Sequence, residues 1–207
     1  MVRDSTALLL AGVLVAVATS AEARSLSGPA ESDQALVLCM RAEGATGTEK
    51  LALLDRGLAL AEQEIAADDT DATAHFAVFC NLGRQIQLRP LGLGSLRAVR
   101  RLRREVDRAL ELAPDAVDVL TAKGTFLLEL PRFLGGDAAE AEHLLRRAVD
   151  LDPGYAYARF ALARLLLERN ERDAAAAQVR AAMAATEESP DSSQAAEAQT
   201  LLASIEH

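Results

Sequence analysis

The side chains able to do covalent or acid–base chemistry are few and scattered. His75, His143 and His207 stand far apart, and no Ser or Cys lies in a local nucleophile motif. Gly92-Leu93-Gly94 lacks the preceding strand and the further glycines that a phosphate-cradling loop needs. Asp68-Asp69-Thr70-Asp71 clusters acids without the later Gly and Glu of a calcium loop, so it reads as a helix start whose carboxylates cap backbone N–H groups. There is no Cys-x-x-Cys and no Cys/His set at zinc spacing. The reading is a non-enzyme with no catalytic residue, no cofactor and no metal site.

Two features of chemical interest remain. Cys39 and Cys80 both fall inside predicted helices. The favoured reading is two buried small hydrophobes; the other is a disulfide, which an even cysteine count permits in an oxidising compartment. Residues 89–108 hold seven arginines against Glu105 and Asp107. Such a stretch could attract an acidic partner or anionic lipid headgroups, but the favoured reading is a solvated helix back paired to neighbouring acids.

The elements that position these residues follow from composition. The 207 residues are half apolar but only 3% aromatic, with no Trp, so Leu, Ala and Val supply the bulk. Ala packs helices closely and has the best helix propensity, which points to an all-α protein. A net charge of −9 argues against nucleic acid as the main partner. Residues 1–23 read as a signal peptide: Arg3, an apolar core over 7–18, and Ala21-Glu22-Ala23 before a cut. That core is too short to span a membrane. No Cys lies near the cut to carry a lipid, so no stable membrane insertion is expected after cleavage, and the chain is expected in the periplasm or secreted.

After a polar lead-in over 24–29, periodicity predicts nine helices, separated by breaks such as Gly44–Gly47, Pro114, Pro153-Gly154 and Asn170. Ser95 is the expected cap of the fourth, whose buried face carries Leu96, Val99, Leu102, Val106 and Ala109. Pro131 stops the fifth, Gly135 and Gly136 permit an unusual backbone, and Asp137 caps the sixth in a capping box with Glu140. Phe133 and Leu134 in this elbow either tuck under the neighbouring hairpin, the favoured reading, or form a contact loop.

A repeat is legible toward the C-terminus. Ala163 and Ala175 place small residues where two helices cross, with Leu166 and Val179 beside them. The preceding copy has Gly124 at the small place, then Ala141, Leu145, Ala148 and Pro153; an earlier one has Leu102, Val106, Ala109 and Pro114. These residues resemble the tetratricopeptide repeat family, helical hairpins with a period of about 34 residues. The resemblance runs from about Thr48 to Ser189, with elongated elbows after the third and fifth helices. It implies a solenoid of about four hairpins over residues 30–189, with a C-terminal capping helix over 190–207. It also implies a groove lined by the first helix of each pair, here Asn81, Arg84, Gln85, Asp118, Thr121, Thr125, Phe160, Arg164 and Glu168. Ala77 and Asp118 stand where a clamp for a C-terminal carboxylate would need basic residues, so that specialised groove is not expected.

Leu130-Pro131, Gly135-Gly136-Asp137 and Ala141 are similar to the motif of the T component of TRAP-type periplasmic transporters, a tetratricopeptide subfamily. That likeness implies a periplasmic scaffold that engages a solute-binding partner and self-associates, although those components are commonly lipoproteins and this chain lacks the lipidated Cys. The function expected is protein or peptide binding as a non-catalytic scaffold or adaptor. The alternative is a transporter-associated component that binds a small solute or a solute-binding protein. N-terminal sequencing of exported protein is predicted to start at Arg24; membrane-bound material starting at Met1 would contradict the signal.

Overall fold

A computed structural model describes residues 30–88, 93–186, 198–203 and 205, and the chain divides into two compact units between Ala30 and Glu31. The expected signal and lead-in, the link around Pro90 and the start of the last helix lie outside the described residues. Those of the second unit form helices joined by turns, with no strand among them. The helices are α1 (Glu31–Gly44), α2 (Gly47–Ala67), α3 (Ala72–Gln87), α4 (Leu93–Leu112), α5 (Val117–Glu129), α6 (Ala138–Leu151), α7 (Ala156–Glu168) and α8 (Arg172–Thr186). Residues 198–203 are helical again.

Consecutive helices pair as α1/α2, α3/α4, α5/α6 and α7/α8, so the fold is an all-α solenoid of helical hairpins. α1 also packs along α3, and α5 along α7. The core passes from hairpin to hairpin: Ala35, Ala61 and Val78, then Leu102, Val106 and Phe126, then Leu120, Leu127 and Ala148. Phe160, Leu162 and Val179 continue it, and Ala198 and Leu201 bury in that same cluster, closing the apolar end of the last hairpin. Helices approach where residues are small. Ala163 and Ala175 are fully buried. A Cβ on Gly124 would sit only 2.8 Å from Leu145 Cγ, so this crossing has no room for one.

Polar groups set the helix ends. Asp71 accepts hydrogen bonds from the Thr73 and Ala74 N–H groups at 2.9 and 3.1 Å and so caps α3. α7 stops in a left-handed Asn170, φ 63°. The Glu171 N–H then donates to Leu166 O and the Asn170 N–H to Leu167 O, which satisfies the last carbonyls. α4 departs from expectation. It begins at Leu93, ahead of Ser95, so Ser95 is not its N-cap. Leu96 is 42% exposed rather than buried. The helical period carries it roughly 100° away from the stripe centred on Leu102, Val106 and Ala109.

The elbow between α5 and α6 holds its shape by backbone contacts. α5 ends at Glu129, Leu130 is extended before Pro131, and Arg132–Leu134 make one 3-10 turn. Gly135 takes φ 91°, and a Cβ on Gly136 would overlap the Leu130 carbonyl oxygen. Asp137 caps α6 through the Ala139 and Glu140 N–H groups, and these bonds hold its carboxyl below the usual carboxylate range. The expected capping box does not form. The Asp137 N–H donates to Leu127 O, and Glu140 pairs instead with Lys123 at 3.2 Å. The favoured packing of Phe133 also fails: its side chain is 85% exposed, and only Leu134 is half-buried. The 3-10 turn directs the two residues to different sides.

Cys39 on α1 and Cys80 on α3 form a disulfide across a sequence separation of 41 residues. A loop of that length corresponds to roughly 4 kcal/mol of stabilisation through the unfolded chain. Gly136→Ala is predicted to lower the urea-unfolding free energy by about 2–4 kcal/mol, since backbone rather than a movable side chain must give way. A variant as stable as the parent would contradict the elbow geometry.

Candidate functional site

α3, α4, α5 and α7 enclose a cavity of about 530 Å³. Bulky rings stand where other helix pairs carry small residues. Phe79 of α3 meets Phe126 of α5 edge to face, with ring centroids 5.5 Å apart, and Phe76 lies beside Phe79 at 6.3 Å. Tyr155 and Tyr157, at the start of α7, complete the aromatic lining with centroids 5.9 Å apart. The chain has five Phe and two Tyr, and three of the former and both of the latter line this one cavity. Sparse aromatic content is thus concentrated at one place.

The polar lining is mixed in charge. Arg84, Asp118, Thr121, Thr125 and Arg164 all face the cavity. Arg84 is paired with Glu43 of α1. Asp118 accepts the Val119 N–H at 2.8 Å, and the Thr121 hydroxyl donates to Val117 O at 2.7 Å, leaving its oxygen as an acceptor. Burial first, then the nearby Asp118 charge with smaller effects of Tyr157 and Asp152, pushes the Tyr155 phenol up to about 12. It keeps its proton at neutral pH and can donate a hydrogen bond. The site offers apolar bulk, donors and acceptors, and no activated nucleophile. Among the described residues no group of three or more His, Cys, Asp or Glu stands close enough to hold a metal.

Of the nine residues expected to line the groove, the structure brings five together here and places four elsewhere. Asn81 is fully buried; its amide N–H groups donate to Ala35 O at 3.0 Å and Ala77 O at 2.9 Å, tying α3 to α1. Gln85 is buried and donates to Asp55 of α2 at 3.0 Å. Phe160 is 1% exposed in the last hairpin's core. Glu168 is exposed at the end of α7, outside the cavity lining. The rings of Phe76, Phe79, Phe126, Tyr155 and Tyr157 also belong to the lining, and none of them is among the residues expected from the sequence, whose one aromatic is Phe160. The clustering of scarce aromatics on first helices was the signal that could have found them.

Ion pairs and polar contacts away from the cavity hold its walls. His75 is buried, with Nδ1 2.8 Å from Glu105 Oε2 on α4 and Nε2 3.2 Å from Asp69 O. Lys123 of α5 meets Asp107 of α4 at 3.0 Å and Glu140 of α6 at 3.2 Å. Burial alone would lower its pKa, but hydrogen bonds and attraction from both carboxylates outweigh that and hold it above an ordinary lysine. Arg101 pairs with Glu62 of α2 at 2.6 Å, and Arg108 with Asp69 at 3.7 Å, so part of the arginine-rich stretch does bridge to neighbouring acids.

Comparison with known proteins agrees with this architecture. The sequence profile of the tetratricopeptide repeat family matches residues 132–205. None of the curated proteins matches the chain. Among solved structures, a thermophilic tetratricopeptide protein of Thermus thermophilus is similar at 19% identity and a TM-score of 0.58, over 88% of this chain and 94% of that one. YrrB, a tetratricopeptide protein described as having an unusual peptide-binding site, is similar at 22% identity and a TM-score of 0.49, over 90% and 83%. A double mutant of MamA matches at 16% identity and a TM-score of 0.49, over 86% and 96%. With hairpins that pair, stack and close at small residues, the chain has a tetratricopeptide-like fold, and its C-terminal part matches the profile of that family.

Proposed function

We propose that this chain is an exported, non-catalytic scaffold that grips a peptide segment of a protein partner along α3, α5 and α7. The observation that carries the reading is the aromatic cavity of about 530 Å³ between those helices. An apolar anchor residue of the segment fills it, while Thr125, Tyr155 and Arg164 engage the segment's backbone and polar groups. Rigid aromatic walls favour such an anchor, because they present large contact area at little cost in side-chain entropy. The Cys39–Cys80 bridge suits an oxidising compartment, which supports the reading of residues 1–23 as an export signal.

A second reading uses the same cavity. Its volume lies within the range of about 300–1,000 Å³ typical of small-molecule sites. A transporter-associated component that binds a small solute is therefore the alternative, in keeping with the motif likeness around Pro131.

Peptides selected by display against the full chain are predicted to lose affinity at least about tenfold on Thr125→Trp, which fills the cavity, with the melting temperature unchanged. Selected peptides that bind the variant equally would refute the groove. A metabolite that co-purifies with the parent and is lost from the variant would favour the second reading.

A further inference from the structure

The arginine-rich face of α4 goes beyond peptide binding. Residues 97–104 hold five arginines and no acid in a chain of net charge −9. Two of the five are engaged: Arg101 with Glu62 and Glu105, and Arg103 with the Gly135 carbonyl oxygen at 2.5 Å. Arg97, Arg100 and Arg104 are exposed and make no hydrogen bond or ion pair among the described residues. Their spacing of three and four places them on one flank of α4.

The elbow after α5 joins this flank. Arg103 pins Gly135 to α4, and Arg100 lies one turn earlier on the same helix. Next to Gly135 in the elbow are Arg132, also exposed, and Phe133 at 85% exposure. Leu96, 42% exposed, stands beside Arg97. Cationic side chains and protruding apolar ones therefore share one edge, on a backbone held by Pro131 and the two glycines.

We propose that this edge docks the protein peripherally on an anionic phospholipid surface. Guanidinium groups meet lipid phosphates in bidentate geometry, and Phe133 enters the boundary between headgroups and acyl chains. The charge is complementary at this edge, whereas the acidic remainder of the molecule is repelled, so orientation is set as well as affinity. A protruding Phe favours a lipid interface over an acidic peptide, since a peptide needs a concave seat and Phe133 stands 85% exposed. No described helix is long and apolar enough to cross a membrane, so the contact is with its surface. None of Arg97, Arg100, Arg104, Arg132 and Phe133 lines the cavity, which keeps this proposal separable from peptide binding.

Co-sedimentation of the full chain with vesicles tests it. Vesicles of one part phosphatidylglycerol to two parts phosphatidylcholine are expected to bind the chain in a salt-sensitive way, and pure phosphatidylcholine far less. Charge reversal at Arg97, Arg100 and Arg104 to Glu is expected to weaken the anionic-vesicle binding at least about tenfold. Phe133→Asp weakens it independently, and Thr125→Trp leaves it intact. If the reversed variant loses its helical circular-dichroism spectrum, the same three arginines changed to Gln decide the matter. Equal binding to both vesicle types, or equal binding by parent and variant, would overturn the proposal. So would failure on vesicles with salt-sensitive binding of polyglutamate, which would assign the edge to an acidic protein.

Discussion

How closely two helices can approach decides almost everything else in this molecule. At the α5/α6 crossing, Gly124 lies directly against Leu145; at α7/α8, the small buried pair is Ala163 and Ala175. Removing a side chain at the crossing brings two backbones together and lets the larger residues beside it interlock at native density. Between α3 and α5 the opposite holds. Phe79 and Phe126 meet edge to face, and rings cannot close to the distance that Gly or Ala allows. The hairpins on either side are tight, the seam between them is not, and the cavity is the volume left over. A stack of hairpins thus opens a cavity by a change of residue size at one interface.

Polar residues then keep the walls of that space in place. Asn81 spans α1 and α3 beside the disulfide, His75 joins α3 to α4, and Lys123 joins α5 to α4 and α6. These are buried or half-buried groups with satisfied donors, so they add directionality that apolar packing lacks. Their work is structural, and it leaves Thr125, Asp118 and Arg164 on the cavity side.

The hairpins were legible because period and punctuation agreed. The bounds of α6, the stop at Asn170 and the caps Asp71 and Asp137 all follow from local chemistry written in consecutive residues. Asn81 and Gln85 were not legible as struts, because the carbonyl and carboxylate that satisfy them belong to α1 and α2, far away in the chain. A polar residue on a first helix looks outward until its distant partner is known. Phe160 was misplaced for another reason: most of α7 is buried, so its periodicity does not say which side faces the groove. Glu140 reads as a local cap partner and Phe133 as a tertiary packing residue, and the structure reverses both. Lys123 draws Glu140 away, and the 3-10 turn points Phe133 to solvent.

The central claim is that a partner segment enters the seam between the second and third hairpins. Methyl-resolved NMR of the full chain, titrated with a display-selected peptide, tests it most directly. The account predicts the largest shifts at Thr121, Ala122, Thr125 and Ala161, whose methyl-bearing side chains line the seam. Shifts confined to Ala139, Ala176 or Ala182, with those four unmoved, would contradict it.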